Sequence, residues 1–293
     1  MKLVSITPAR NEAWVLRASL PAMLAWVDEA VVLDHASDDE TSEIICQAKA
    51  DYPGRVTHLY SGDPIWREMS HRQGLLETAR QQKATHIATI DADEILTGDW
   101  LPKIRDRITE LQPGRFHGIT MRNLHRGLGQ FRSDAGIWGK QAGTMLAFAD
   151  SPELCWQTTD GYDHHHRHPH GSRYARKLDQ GGGLMHLQFA SWRRLTAKHE
   201  WYKMTERVRW PGKSVAEVDR LYSLALDETG AEVEAVPEAW WAPYDNLREL
   251  VDLEATPWHE AACDQMLREY GPQHFNGLNI PGVLDRAGLE VAA

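Results

Sequence analysis

Apolar and polar positions alternate in blocks along the first hundred residues. Lys2 to Thr7 (KLVSIT) reads as a short buried strand, with Pro8 to Asn11 as the turn after it. Glu12 to Trp26 places Val15, Leu16, Leu20 and Leu24 at helical spacing, and Pro21, which lacks a backbone donor, is expected to break or kink that helix. Ala30 to Leu33 is a second buried strand. Asp34 to Thr41 is a polar turn, and Ile44, Ile45 and Ala48 then mark one face of a helix. Val56 to Tyr60 reads as a third strand, a helix with Leu75, Leu76 and Ala79 on one face follows, and His86 to Ile90 is the fourth strand. Strand, helix, strand repeated at this spacing predicts an α/β fold: a mostly parallel, Rossmann-like sheet covered by helices on both faces. Ligands of such sheets sit outside the carboxyl ends of the strands, and the turns at Asn11, Asp34 and Asp91 all fall on that edge.

After Trp100 the pattern changes. Gly118 to Asn123 and Thr144 to Phe148 read as strands joined by a Gly-rich, charged connection. Residues 150 to 183 read as irregular and hold five of the fifteen histidines. Gly181-Gly182-Gly183, read as a flexible segment, leads into a last strand, Leu184 to Phe189, and a helix is expected from Trp192 to about Arg209. Ser214 with Glu217 three residues on is a capping box opening a helix through Val218, Leu221, Tyr222 and Ala225. From Ala231 onward the chain is richer in Pro and Trp and reads as a small C-terminal extension. The expected organisation is therefore one domain over 1–230, in two halves (1–100 and 101–230), followed by 231–293.

Composition narrows the picture by exclusion. The 293 residues are 42% hydrophobic and 25% charged, ample to bury a core. A formal net charge of −10 argues against broad binding to nucleic acid. Cys46, Cys155 and Cys263 are far apart and odd in number, which suits neither a disulfide framework nor a zinc motif, so a reducing cytoplasm is the expected compartment. The apolar N-terminal segment lacks a signal-peptide layout, and no apolar run approaches the ~18 residues of a membrane span, so no transmembrane anchor is expected. The twelve tryptophans suit core packing or stacking on sugar rings.

The densest chemistry is Ile90-Asp91-Ala92-Asp93-Glu94, three carboxylates at the end of a buried strand. They repel one another unless a cation or donors neutralise them. Hard oxygen ligands suit Mg²⁺ or Mn²⁺, which also bridge diphosphate oxygens; the bland reading is a solvated acidic turn. His186 ends an apolar strand after three glycines, as a metal ligand or a buried structural histidine. The tract Asp163-His164-His165-His166-Arg167-His168-Pro169-His170 is dense enough to capture a transition metal. It lacks helical spacing and cysteine partners, and reads better as an active-site loop whose cations and donors meet phosphate or acceptor, with a solvated loop as the alternative.

Four segments in order resemble the nucleotide-binding half of family-2 type glycosyltransferases: Ala9-Arg10-Asn11-Glu12, the turn Asp34-His35-Ala36-Ser37-Asp38-Asp39-Glu40-Thr41, the helix carrying Arg72, and Asp91-Ala92-Asp93. The turn keeps Asp34, Ser37, Asp39 and Thr41 but has Ala36 and Glu40 where the family often has glycine. The resemblance covers residues 1 to 100 well and implies a GT-A fold, a nucleotide-diphosphate sugar as donor and a D-x-D metal motif. It implies that Ala9, Asn11, Glu12 and Asp34 contact base and ribose, that Asp91 and Ala92 line the donor site, and that Asp93 takes the metal, with Asp91 beside it and His186 as the late histidine that often completes the shell. Each has a physical rationale. Asp34 can accept from the imide of uracil or the amide donors of guanine. Arg72 can neutralise diphosphate, or equally pair with Glu68 or Glu77. Asn11 can serve as ligand or as a helix N-cap.

The resemblance further implies an inverting transfer, with a base that deprotonates an acceptor hydroxyl. Asp163 is the first candidate, followed by Asp160, Glu153 and His166, and Trp138, Trp156 and Trp192 are candidate acceptor platforms or core. The acceptor and the oligomeric state are left open. A sugar-1-phosphate nucleotidylyltransferase would need a Gly-rich loop after the first strand, which Thr7 to Glu12 lacks. A carbohydrate- or metal-binding module without catalysis would not need both Asp91 and Asp93.

Overall fold

The computed structural model describes residues 1–157 and 166–289. The first half runs β1 (Leu3–Ala9), α1 (Ala13–Leu24), β2 (Glu29–His35), α2 (Thr41–Asp51), β3 (Val56–Ser61), α3 (Glu68–Gln81), β4 (His86–Thr89), β5 (Glu94–Leu96) and α4 (Ile104–Thr109). Then come β6 (Arg115–Asn123), β7 (Gln130–Arg132), β8 (Gly143–Ala149), β9 (Arg173–Leu178), β10 (Leu184–His186), α5 (Trp192–Arg209) and α6 (Val215–Ser223). The chain closes with β11 (Val233–Ala235), α7 (Glu238–Trp241), α8 (Asp245–Arg248), α9 (Trp258–Tyr270) and α10 (Pro281–Ala287).

The main sheet has the order β3-β2-β1-β4-β8-β6-β10-β5. β3, β2, β1 and β4 are parallel, as their continuous apolar runs predict, because both faces are buried. β8 enters antiparallel between β4 and β6. On its other edge β6 pairs first with β9, over Arg115 to Ile119, and then with β10, over Met121 to Asn123. The stretch from 150 to 183 is thus not wholly irregular. β9 was hidden from pattern reading because its alternating Arg, Tyr, Arg and Lys leave most of it half-exposed.

Three local expectations are corrected. Helix α1 runs through Pro21 and ends three residues later; the proline loses the bond its missing N–H would make to the Arg17 carbonyl without stopping the helix. The strand predicted over Leu184 to Phe189 stops at His186, and Leu187 to Phe189 form a 3₁₀ turn. The three glycines before it are not a flexible hinge. A Cβ on Gly182 would lie 2.2 Å from Thr97 Oγ1, one on Gly183 2.2 Å from the Thr120 carbonyl, and both backbone N–H groups are fixed by Asp99 and Thr97. They are there for close approach. The capping box at Ser214 and Glu217 forms as expected.

The residues after 231 pack closely on what precedes them. β11 pairs with β7, Trp240, Trp241 and Tyr244 enter a core with Trp14, Val15, Ile95 and Met185, and Cys263, Phe275 and Val283 form another with Met204 and Val218. Among the described residues no helix is long and apolar enough to cross a membrane.

Two residues with side chains hold left-handed backbone conformations at the ligand edge, Asn11 (φ 55°) and Ala36 (φ 49°). Asparagine tolerates this through local hydrogen bonds, whereas for alanine it costs about 1–2 kcal/mol. Ala36→Gly should therefore raise stability by about 0.5–1 kcal/mol after the added chain entropy of glycine is subtracted. A guanidinium titration with no upward shift in midpoint would show that the turn carries no such strain.

Candidate functional site

The carboxyl ends of β1 and β2 are laced together by their turns. Asn11 and Asp38 exchange bonds: Asn11 Nδ2 donates to Asp38 Oδ1 (2.6 Å) and the Asp38 amide donates to Asn11 Oδ1 (2.8 Å). The amides of Asn11, Glu12 and Ala13 donate to Ser37 Oγ, Thr41 Oγ1 and Asp39 Oδ2. Asn11 is therefore a tether between turns and not the N-cap of α1, a position held by Glu12. These bonds explain why the polar residues of 34–41 are needed although glycines are missing: side chains, not backbone freedom, hold the turn. Ala9 ends β1 in the core. Asp34 is fully buried; its Oδ1 accepts the Ser37 amide, and its Oδ2 has no hydrogen-bond partner, with His58 Nε2 3.9 Å away. A buried carboxylate oxygen with no donor is poised to accept one from a ligand.

The acidic turn follows β4. The backbone turns at once into β5, closed by the Glu94 amide to the Asp91 carbonyl (3.1 Å) and the Asp91 amide to Glu94 Oε2 (2.9 Å), with the buried Ala92 between the two aspartates. The three carboxylates then part company. Glu94, 1% exposed, is gripped by Arg167, whose Nη1 and Nη2 donate to Oε1 (2.6 Å) and Oε2 (2.7 Å). Arg167 also donates to the Thr89 carbonyl and Thr144 Oγ1, which locks the fork in place. Burial raises the Glu94 carboxyl even against this cation. Burial also disfavours the Arg167 charge, but Asp91 and Glu94 outweigh it and hold the guanidinium firmly protonated. Glu94 is thus neutralised by protein.

Asp91 turns Oδ1 toward Arg72 Nη2 (3.6 Å) and Arg167 Nη2 (3.7 Å), at ion-pair range but without a hydrogen bond, and its side chain stays 35% exposed. Burial would raise its carboxyl, and the two arginines reverse this and lower it. Of the two readings of Arg72, the pairing with Glu68 is formed, its Nε donating to Glu68 Oε1 (2.9 Å), while Nη2 faces Asp91.

Asp93 faces the other way, with Oδ2 3.5 Å from His186 Nε2. The strands bring this about. β10 pairs with β5 and β6 so that His186 lies opposite Glu94 on one side and Asn123 on the other, and the Leu187 amide donates to the Asp93 carbonyl (2.9 Å). Asn123 Nδ2 donates to the Trp138 carbonyl (2.8 Å), which aims Oδ1 at His186 Nδ1 (2.9 Å). In this network Nδ1–H is the donor, and Nε2 is presented to Asp93. That is the arrangement of a metal-ligating histidine with its orienting partner. Burial would raise the Asp93 carboxyl, but His186 and then Lys198 hold it well below the usual range; burial opposes charge on His186, and Asp93 more than restores it.

Asp93 and His186 are the pair brought together, with Asp91 on the same turn but held by arginines. Among the described residues no three His, Cys, Asp or Glu side chains converge tightly enough to hold an ion by themselves. The donor set still fits Mn²⁺ or Mg²⁺ in combination with diphosphate: a carboxylate and an imidazole of fixed tautomer, leaving positions for phosphate oxygens and water.

Beside this pair stand Glu12, expected at the donor site, and Lys198 and Arg194, which the sequence did not single out. Lys198 on α5 donates to Gln188 Oε1 (2.8 Å); burial disfavours its charge, but Tyr202, Asp93, Glu12 and Asp91 more than offset that. Glu12, bonded by the Trp14 indole (2.6 Å), is raised to about 7 by burial and by the Asp93 charge, against Lys198 and Arg194. Helical spacing of Arg194 and Lys198 was the available signal, without anything to show what that face meets.

Of the base candidates, Asp163 and Asp160 lie outside the described residues, as do His164 and His165. Glu153 is exposed, and its carboxyl is lowered first by a bond from Ser151. His166 is exposed and stacks on His168 (5.0 Å), which stacks on Phe116 (5.0 Å). Neither joins Asp93. Trp156 is core, 3% exposed; Trp138 bonds the Leu224 carbonyl and packs on Phe189, and Trp192 lies under Arg126.

Residues 5–180 match the family described as glycosyl transferase family 2. Among solved structures, residues 1–349 of S. aureus TarS are 12% identical over 100% of this chain and 93% of that one, with a TM-score of 0.47. The same fragment in complex with UDP is 17% identical over 44% of this chain and 36% of that one, with a TM-score of 0.35. Glucosyl-3-phosphoglycerate synthase from Mycobacterium tuberculosis, in complex with Mn²⁺, UDP and glucosyl-3-phosphoglycerate, is 16% identical over 42% of this chain and 44% of that one, with a TM-score of 0.29. Among curated proteins none matches the chain.

Proposed function

The chain belongs to glycosyl transferase family 2, and from that premise we propose that it moves a sugar from a nucleoside-diphosphate sugar to an acceptor hydroxyl, with inversion, aided by a divalent cation on Asp93 and His186. The observation that carries the metal-dependent part is the Asp93–His186 pair, with Nε2 turned to the carboxylate by Asn123. A cation bound there supplies Lewis-acid stabilisation of the departing diphosphate. The chain's own groups do the rest. Asp34, with its unpartnered Oδ2, accepts a donor N–H of the base. Arg72 and Lys198 put positive charge on two sides of the diphosphate position, and Arg167, already committed to Glu94, stiffens the turn that carries Asp91 and Asp93. The acceptor proton goes to a base, for which Asp163 is the first candidate and Asp160, Glu153 and His166 follow.

The test is a thermal-shift series of nucleoside diphosphates with Mn²⁺. A ligand at 100 times its Kd adds about 2.7 kcal/mol of stability. Asp34→Ala should weaken the preferred nucleotide by about 1.5–3 kcal/mol in calorimetry, the range for a lost hydrogen bond to a charged group. Unchanged affinity would make Asp34 purely structural, and no response to any nucleotide would overturn the donor assignment.

A further inference from the structure

A second concave site adjoins the first. A cleft of about 330 Å³ opens between the N-terminal turn of α1, the start of α5 and the segment leading into α9, lined among others by Trp14, Arg17, Arg194, Asp252, Thr256 and Trp258. It contains none of Asp34, Asp91, Asp93 or His186, but Asn11 lines it and Glu12, the next residue, lies between the fields of Asp93 and Arg194. The far wall, 250–258, lies outside the span that matches the family. It is strapped across the site by the Asp252 amide to the Trp14 carbonyl (2.8 Å) and Ser191 Oγ to the Leu253 carbonyl (3.0 Å).

The charged groups of the cleft are satisfied with one exception. Arg17 is paired with Glu40. Asp39 accepts from the Ala13 and Thr41 amides, and Asp252 accepts from the Glu254 amide. Arg194 is 6% exposed, lies over the Trp14 ring at 4.6 Å, and its Nε has no hydrogen-bond partner. Among the described residues no carboxylate comes within ion-pair distance of it, and burial lowers its pKa despite the charges of Glu12, Asp93, Asp39 and Asp252. A buried guanidinium left with unmet donors in an open cleft is complementary to an anion, which it can bind through its fork. Trp258, half-buried on the opposite wall, adds an aromatic surface.

We propose that this cleft anchors the acceptor, and that the acceptor carries an anionic group, a phosphate or a carboxylate, which pairs with Arg194. The assignment to the acceptor rests on the transferase reading above, because Asp34 and the Asp93–His186 pair, none of which lines the cleft, account for donor base and diphosphate.

The probes are inorganic phosphate and acetate, titrated against the full chain in melting experiments, first alone and then with saturating nucleoside diphosphate and Mn²⁺. At least one of the two should raise Tm by about 3 °C or more at saturation, both without and with the nucleotide. Arg194→Gln should weaken that anion at least ~10-fold, and Arg194→Lys should retain part of it. Should Arg194→Gln fail to fold, Thr256→Glu, at an exposed position of the wall, places a competing carboxylate in the cleft and should remove the effect. Equal anion binding in wild type and variants, or none in wild type, overturns the site. Anion binding that disappears when nucleoside diphosphate is added overturns the acceptor assignment and gives Arg194 to the donor diphosphate. Absence of nucleotide binding overturns the transferase reading and the acceptor assignment with it, while the Arg194 anion site is still read directly by phosphate or acetate alone.

Discussion

Asp93→Ala is expected to lower transfer by about 10³-fold or more, with the fold retained, and to remove most of the Mn²⁺ dependence of nucleotide binding. The rate loss corresponds to the several kcal/mol that a bound cation contributes to a developing negative charge. The fold should survive because, among the described residues, the Asp93 carboxylate is held only by His186 and its own backbone amide. Its backbone carbonyl, which accepts the Leu187 amide, is unaffected by the substitution. His186→Ala should raise the Mn²⁺ needed for half-maximal activity by ~10-fold or more, the usual size of such losses. Replacing His168 and His170 together should leave that requirement unchanged. Full activity in EDTA, or in the Asp93 variant, contradicts the assignment. Loss of metal response on changing the histidine tract alone would move the metal there.

The second large effect is on stability. Arg167→Met strands Glu94 as a buried, unpaired carboxylate and should cost about 3–5 kcal/mol, lowering Tm by roughly 10 °C. Glu94→Gln in the Arg167→Met background should recover part of the loss, because the stranded charge and not the missing contact is the larger cost. The measurement is a denaturant titration of both single variants and the double variant. A loss under about 1 kcal/mol in Arg167→Met, or strict additivity in the double variant, would mean that the pair is no more than a surface ion pair in its energetics. The pair also explains how three adjacent carboxylates coexist at one strand end: one is neutralised internally, one is shared by two arginines, and one is left for His186.

Much of this was legible along the chain. The runs KLVSIT, AVVL and HIATI bury both faces of a parallel sheet because their apolar residues do not alternate, and the period of the intervening segments leaves little choice but helix. Those are local properties, set by side-chain hydrophobicity within a few residues, so they survive without tertiary information. The positions of Asn11, Asp34 and Asp91 at the carboxyl edge follow from the same argument. His186 stood out in the sequence as the histidine that ends an apolar strand after three glycines, and the structure places it beside Asp93. What pattern reading missed were the partners. Among the described residues of the histidine-rich tract, Arg167 is the one that meets the acidic turn, gripping Glu94 across 73 positions of sequence. Asn123 orients His186 only because β6 and β10 lie side by side, and the cleft beside Arg194 exists because 250–258 is strapped across α1 and α5. Such meetings depend on which strands become neighbours and on what each buried charge finds within a few ångströms. Local composition determines the elements; the long-range packing of the sheet and its C-terminal wall decides which charges are neutralised by protein and which are left for a ligand.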